Sequence, residues 1–247
     1  MTVSAHPTLA QPRFPTWTRW LWGLLFLPFI AAMIFTITRP ILVLPRAQLA
    51  PGFILTDHTG QTITSEDLRG RLTLINFTYA HCAAPDCPQT TDAMADLWPR
   101  LDEANLGDLP ITFLTISFDA ERDTPDQLAA FAANYPPAPS DLTAPRNWLF
   151  ASNASPTITK AIIGSGYRLW YELDESSRTP TGDYAFNFRT RYFLVDGWGV
   201  IRATYTTPAL DADLVLRDLD LIAKEVRNST GAASLAYEAA HLFRCYP

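Results

Sequence analysis

The chain lacks the excess of basic side chains that binding to nucleic acid requires. Its 247 residues include 19 lysines and arginines against 25 aspartates and glutamates, which gives a formal net charge of −6. Contacts to phosphate need a basic face, which an acidic protein does not offer. Internal repeats and low-complexity tracts are also absent. The length is sufficient for one globular domain with an additional segment.

Acidic side chains are missing from residues 1–46, which contain four arginines. Within this part, residues 20–38 carry no charge. A helix of that length rises by roughly 29 Å, close to the ~30 Å hydrocarbon core of a bilayer. A cleaved signal peptide is the less favoured alternative, because the apolar run is long and no A-x-A cleavage site follows it. The pattern predicts an N-terminal tail at 1–16, a single transmembrane anchor at 17–38 and a linker at 39–50.

Beyond the linker, the hydrophobic pattern alternates between strand and helix periodicity. Strands are predicted at 53–55, 62–64, 72–77, 111–118, 191–195 and 200–205. Helices are predicted at 88–103, at 124–135, from 155 onward, at 211–227 and at 232–244, with a helical turn at 65–68 and a loop at 136–145. The two long strands are separated by a helix and are therefore parallel, whereas the last two form a hairpin. This order predicts an α/β fold of the thioredoxin type, a mixed sheet flanked by helices, over 51–228, followed by a C-terminal helical extension at 229–247.

Cysteine is scarce, and two of the three cysteines, Cys82 and Cys87, lie in one loop between a predicted strand and a predicted helix. Free N–H groups at the start of a helix stabilise a thiolate. The thiolate is the form that attacks disulfides and binds soft metals. His81 adds a cation or a nitrogen ligand beside Cys82. We therefore take Cys82 and Cys87 as candidate catalytic thiols, and the same pair with His81 as a candidate metal site.

Other interpretations of the cysteines stay open. A purely structural disulfide between Cys82 and Cys87 would contribute only roughly 2 kcal/mol, because the loop it closes is short. A closed zinc site needs four ligands, and only two cysteines cluster. His241 lies one helical turn before Cys245 and forms a further candidate metal pair, although such a pair on a terminal helix is commonly incidental.

Several segments resemble the Sco/SenC family over about residues 51–225. Residues 53–57 with Gly60, and then 68–70, resemble the opening of that domain; residues 74–79 leading to Cys82, Cys87 and Pro88 resemble its cysteine loop; and residues 192–196 with Gly199 resemble its late hairpin. The most specific match is at 116–125, with the sequence ISFDAERDTP. The order of anchor, linker and domain also fits this family.

The resemblance implies a membrane-anchored, thioredoxin-fold copper chaperone of respiratory oxidases. It implies Cu(I) as the metal and an integral membrane electron-transfer complex or oxidase subunit as the partner. Disulfides persist in oxidising compartments. We therefore expect a single-pass membrane protein with its domain on the extracytoplasmic side, whether periplasmic or outer.

Two departures from the family bear on the site. Four residues separate Cys82 from Cys87, whereas the family has three. The family also carries a histidine, its third copper ligand, five residues before the aromatic residue of the late strand, which here is Phe193. That position is Phe188, and residues 183–192 contain no histidine. The nearby aromatic residues at 184, 186 and 188 form either a protein contact surface or part of the core.

These departures favour an accessory subunit of a respiratory or photosynthetic electron-transfer complex, with a degenerate copper or thiol site. Such a role requires no catalysis. A Cu(I) chaperone for oxidase copper-site assembly and a thiol–disulfide reductase acting on such a site are the alternatives. The reductase role is disfavoured by the lack of a proline just before Arg191, since the nearest is Pro180. A peroxidase is excluded, because neither close cysteine lies in a Thr-x-x-Cys context.

Overall fold

The computed structural model describes residues 16–38, 41–82 and 89–243. The chain divides into two compact units, Met1–Ile41 and Leu42–Pro247. The described part of the first unit is the helix α1 (Thr16–Thr38), where the sequence predicts a transmembrane anchor at 17–38. Within the described ranges, however, no helix combines the length and the apolar character that crossing a membrane demands.

The second unit is built on a mixed sheet. Its strands are β1 (Gln48–Leu49), β2 (Ile54–Asp57), β3 (Thr62–Thr64), β4 (Leu72–Thr78), β5 (Ile111–Ser117), β6 (Arg146–Ser152), β7 (Tyr171–Asp174), β8 (Ala185–Phe188), β9 (Tyr192–Val195) and β10 (Val200–Tyr205). Eight of them form one sheet in the order β1-β10-β9-β4-β5-β6-β2-β3, and β7 pairs with β8 in a separate ribbon. Strands β4, β5 and β6 are parallel, while β9 and β10 form the expected antiparallel hairpin.

Helices pack on both faces of this sheet. The helices of the second unit are α2 (Thr90–Leu97), α3 (Pro125–Ala132), α4 (Pro156–Thr159), α5 (Ala212–Arg227) and α6 (Gly231–Phe243). Side chains of α2, α3 and α5 join one core with Leu72 and Leu74 of β4. Ile75 and Phe77 of the same strand join a second core that includes Ile163, just after α4. Every residue of β4 and β5 is buried, as is typical of central parallel strands. A mixed sheet flanked by helices is therefore confirmed.

The strand β6 is absent from the sequence-based prediction, which has only a loop before residue 146 and a helix after 155. Its polar residue Asn147 is fully buried, and its Oδ1 accepts hydrogen bonds from Thr112 Oγ1 at 2.7 Å and Arg71 Nη2 at 3.1 Å. Arg71 also donates to the carbonyl oxygens of Leu142 and Ala144. These distant partners pair the side-chain oxygen of a residue that makes the segment look like a loop in the sequence.

Two further predictions need correction. The helix predicted over 88–103 begins as α2 at Thr90 and continues as a tighter 3₁₀ helix over Trp98–Glu103, where a proline enters the first turn. The helical turn predicted at 65–68 is a run of turns instead. The ribbon of β7 and β8 was not predicted, and it carries Phe188 at its end.

Candidate functional site

The candidate site lies where the parallel strands β4 and β5 end. His81 and Cys82 follow β4, and Asp119 and Asp123 follow β5. In open α/β sheets, ligands bind in the crevice outside the carboxyl ends of the strands, because successive loops converge there. The sheet order thus brings Ala80 and His81 beside the segment with the ISFDAERDTP sequence, although the two are far apart in the chain.

Cys82 is half-buried and packs against the second core. Its sulfur takes part in a disulfide bond. The two other cysteines of the chain, Cys87 and Cys245, lie outside the described residues, and so does the predicted pairing between Cys82 and Cys87.

His81 is held by a buried carboxylate. Its Nδ1 lies 3.3 Å from Asp123 Oδ1, while 37% of its own side chain stays exposed. The other carboxylate oxygen of Asp123 accepts hydrogen bonds from the Ala80 amide at 2.7 Å and from Ser117 Oγ. Burial raises the pKa of the Asp123 carboxyl, and these hydrogen bonds oppose part of that rise. Asp123 therefore joins the loop after β4 to the loop after β5 and fixes the ring of His81.

Asp119 supplies a second buried carboxylate. It forms an ion pair with Arg122 Nε, and its Oδ1 accepts a hydrogen bond from the Tyr184 hydroxyl at 2.9 Å. The Arg122 guanidinium stacks on the Tyr184 ring at 3.5 Å from its centroid. One ligand atom from each of His81, Asp119 and Asp123 lies within 4.8 Å of the others. Because both carboxylates already have protein partners, this cluster supports the loop and orients His81.

Asp119 and Asp123 are not among the site residues predicted from the sequence. Their signal in the sequence is a pair of aspartates four residues apart, immediately after a strongly buried strand. Spacing alone does not show that one of them meets His81, because that contact spans 42 positions of the chain.

Phe188 reaches the strand ends through aromatic packing. Its ring lies 4.9 Å from that of Phe118 and 6.2 Å from that of Tyr79, the residues that follow β5 and β4. Phe186 contacts the same two rings at 5.2 and 5.3 Å. The side chains of Tyr184, Phe186 and Phe188 are all half-buried. Of the two interpretations of these aromatics, packing against the core is therefore the one that the structure favours.

His241 lies in a different environment. Its Nε2 is 2.9 Å from Glu225 Oε1 of α5, and its side chain is 10% exposed. This contact gives the imidazole a structural partner. The other member of the candidate pair, Cys245, lies outside the described residues.

Comparisons with known proteins agree with this architecture. Residues 44–224 match the SCO1/SenC family model. Protein SCO2, mitochondrial, from Saccharomyces cerevisiae is 28% identical over 148 residues, which cover 60% of this chain and 44% of that protein. Protein SCO1 homolog, mitochondrial, from Homo sapiens is 38% identical over 96 residues, which cover 38% of this chain and 31% of that protein. The chain thus spans less than half the length of these relatives.

Solved structures resemble the second unit. BsSco, a member of the Sco family of cytochrome c oxidase assembly proteins, aligns with a TM-score of 0.58 and 23% identity over 74% of this chain and 98% of its own. Bradyrhizobium japonicum ScoI with copper bound aligns with a TM-score of 0.52 and 26% identity over 68% of this chain and 98% of its own. Together with the family match over most of the chain, these findings show that the protein belongs to the SCO1/SenC family.

Proposed function

We propose that this protein binds Cu(I) as cargo through Cys82 and Cys87 and serves the assembly of an oxidase copper site. The observation that carries the proposal is the position of Cys82, a disulfide-forming thiol at the carboxyl ends of two parallel strands, next to an anchored histidine. Soft thiolates select Cu(I) over harder divalent ions. The relatives support the same chemistry, since one of them is solved with copper bound and another belongs to a family of oxidase assembly proteins.

His81 is the nitrogen ligand that we propose in place of the histidine missing at position 188. In the tautomer that carries its proton on Nδ1, that N–H donates to Asp123 and the lone pair of Nε2 is available to a metal ion. The ring is partly exposed. Metal-binding histidines commonly donate their other N–H to a carboxylate, which fixes the tautomer and raises ligand basicity. Asp123 is the positioning residue in this arrangement.

Cu(I) competition with a chromogenic chelator under reducing conditions tests the proposal. We expect the wild-type protein to retain Cu(I), and the single variants Cys82→Ser and Cys87→Ser to lose at least about tenfold in affinity, because each removes one of two thiolates. Cys245→Ser is the matched control and should leave the affinity unchanged. Equal affinities in all four proteins would refute a site built on the close pair.

Thiol–disulfide exchange is the second candidate, and the disulfide of Cys82 favours it. Reduction of that disulfide takes up two electrons and two protons, which a partner dithiol supplies as it becomes a disulfide. A Cys87→Ser variant that traps a mixed disulfide at Cys82 would support this activity. If the Cys87→Ser variant traps no partner and the wild-type protein still binds Cu(I), thiol–disulfide exchange is refuted and copper handling is the function.

We also place the domain on the extracytoplasmic side. Its support is the disulfide of Cys82, because such bonds persist in oxidising compartments. Digestion of the domain by protease added to right-side-out membrane vesicles, freed of any outer membrane, would support this location, and full protection would refute it. Membrane attachment through residues 17–38 and a stoichiometric accessory role in an electron-transfer complex stay predictions from the sequence.

A further inference from the structure

The second unit exposes its large apolar side chains unevenly. Nine of them are exposed among its described residues. Three lie near the carboxyl ends of β5 and β6, on the side of the cysteine loop: Ile54, Ile158 and Trp170. The other six lie around the opposite end of the sheet, and they are Leu42, Leu49, Trp198, Val226, Leu235 and Leu242. We call this opposite end, formed by β1, the turn at 196–199 and α6, the basal end.

The turn between β9 and β10 marks the basal end of the sheet. It carries Trp198, whose side chain is 78% exposed. The carbonyl oxygen of Gly197 accepts a hydrogen bond from the amide of Gly70, just before β4. Leu49 of β1 pairs with Val200, the first residue of β10. Because β4 begins here and ends at the cysteine loop, its length of about 3.3 Å per residue separates the two ends by roughly 20 Å.

The C-terminal helix α6 enlarges this apolar surface. It lies beyond residues 44–224, the part of the chain that matches the family model. Its Glu238 pairs with Arg46 at 2.9 Å, and its His241 contacts Glu225 of α5 at 2.9 Å. Because Arg46 comes two residues before β1, these contacts hold α6 at the basal end.

The hairpin and α6 border one groove of about 460 Å³. Trp198, Val226 and Tyr237 are among its lining residues. Leu235 and Leu242 are two helical turns apart, so they share a face of α6, and both are exposed. An exposed tryptophan beside an exposed apolar helix face indicates an interaction surface.

The path of the chain indicates what lies beside the basal end. The helix α1 ends at Thr38, and the second unit begins at Leu42. The connection between these two residues extends over at most about 14 Å. The basal end is therefore tethered closely to residues 17–38, the segment for which a membrane anchor is predicted. Tryptophan is enriched at membrane–water interfaces, where its ring contacts apolar and polar groups together.

The charged groups beside Trp198 are paired within the protein. Arg69 donates to the carbonyl oxygen of Trp198 and pairs with Glu66 at 3.0 Å. Arg46 pairs with Glu238 across the groove lining. Such pairs offer little attraction to an anionic headgroup. A contact with lipid at this end would therefore be apolar, and salt would affect it little.

We propose that the basal end rests on a phospholipid bilayer, with Trp198 and the exposed leucines of α6 in the interfacial layer. The inference rests on the membrane attachment predicted for residues 17–38, and it adds an orientation to that attachment. The loop with Cys82 then projects away from the bilayer, at a height of roughly 20 Å above the basal end. A partner's copper site or disulfide must reach a similar height to exchange with this thiol.

Quenching of tryptophan emission by brominated lipid tests the proposal on the full-length protein in phosphatidylcholine vesicles. Bromine atoms on the acyl chains quench the rings that lie at the bilayer. The emission that wild type shows in excess of Trp198→Phe belongs to Trp198, and phenylalanine keeps an apolar ring at that position. We expect brominated lipid to remove most of this difference, at low and at high salt.

Trp170→Phe is the matched control. Trp170 is 49% exposed and directly precedes β7, on the side of the cysteine loop. Its share of the emission should therefore survive in the same brominated vesicles. Cu(I) affinity should be the same in wild type and in both variants, so a failure of the copper proposal is seen independently.

Flotation of the vesicles separates attachment from orientation. If the protein floats but Trp198 stays unquenched, or if Trp198 and Trp170 are quenched equally, the orientation is overturned and the attachment stands. A second copy or another protein on this surface would shield Trp198 and give the first of these results. If the protein does not float, the attachment fails and the orientation fails with it. Quenching of Trp198 that high salt abolishes would refute an apolar contact.

Discussion

Among the described arginines that each pair with two carboxylates, Arg202 is the most deeply buried. Its replacement tests how much a buried ion pair contributes to the free energy of unfolding. Its side chain is 2% exposed, with Nη1 at 3.0 Å from Asp196 and Nη2 at 2.6 Å from Glu225. The same guanidinium donates to the backbone carbonyl oxygens of Leu44 and Pro45. One residue therefore ties the hairpin, α5 and the segment that enters the second unit.

The variant Arg202→Met keeps most of the side-chain volume but leaves two buried carboxylates without this cation. Removing one partner of a buried ion pair costs about 3–5 kcal/mol. Arg46 and His241 still contact Glu225, at 3.1 and 2.9 Å. We therefore expect the free energy of unfolding to fall by about 3 kcal/mol, the lower end of that range. Urea titration followed by tryptophan fluorescence measures it.

Arg100→Met is the matched control. Arg100 also joins two carboxylates, those of Glu103 and Asp213, but its side chain is 36% exposed and its partners are more so. Exposed ion pairs contribute about 0–1 kcal/mol, so this variant should be nearly as stable as wild type. Equal losses in the two variants, or a loss below about 1 kcal/mol for Arg202→Met, would refute the argument from burial.

The effect of Arg202 should also depend on pH. Burial alone would raise the pKa of Glu225, but hydrogen bonds and charges from Arg202 and His241 hold it below its usual value. A carboxyl with a lowered pKa contributes stability above its unfolded pKa of about 4.3, and that contribution is lost as the pH falls through the folded value. The difference between wild type and Arg202→Met should therefore shrink below about pH 4. A difference that stays constant to lower pH would contradict this origin.

Three further outcomes are expected. Asp123→Asn should weaken Cu(I) binding about tenfold through the loss of His81 orientation. Because the pKa of Asp123 is raised, the stability that this carboxyl contributes is present below its unfolded pKa and is lost as pH rises through the folded value. In urea titrations from pH 3 to 7, the free energy of unfolding of the variant should therefore rise relative to that of wild type, and a constant difference would contradict this. Phe188→His should strengthen Cu(II) binding, seen by electron paramagnetic resonance, whereas no change would mean that residue 188 does not face the metal. Thiol trapping before and after reductant should show Cys82 and Cys87 changing state together while Cys245 does not, and a pairing that involves Cys245 would overturn the assignment.

The sequence predicts the elements whose pattern is local. Strands β4 and β5 are rich in apolar and β-branched residues, and the hairpin of β9 and β10 is marked by its turn, so all four lie where they are predicted. The strand β6 was not predicted because Arg146 and Asn147 look like loop residues. Their partners come from distant parts of the chain: Asp102 pairs with Arg146, and Arg71 and Thr112 donate hydrogen bonds to Asn147. Tertiary hydrogen bonds override local composition at that point.

The same distinction applies to the candidate site. Cys82 and His81 are identified by their place between a strand and a helix, which is a local signal. The partner of His81 is Asp123, which lies beyond the next strand, and only the parallel pairing of β4 with β5 brings the two together. The ion pairs of Arg202 are hidden for the same reason, because its partner Glu225 belongs to a separate helix.

The ribbon formed by β7 and β8 has a consequence for how the site can be altered. Its two strands pair with each other, as Tyr171 does with Phe188, and form a sheet separate from the eight-stranded one. Phe188 is therefore placed by ring contacts with Phe118 and Tyr79, not by the register of that sheet. We therefore expect an exchange of the side chain at this position to leave every strand pairing of the central sheet unchanged. The chemistry at residue 188 can thus vary without disturbing the scaffold that presents Cys82.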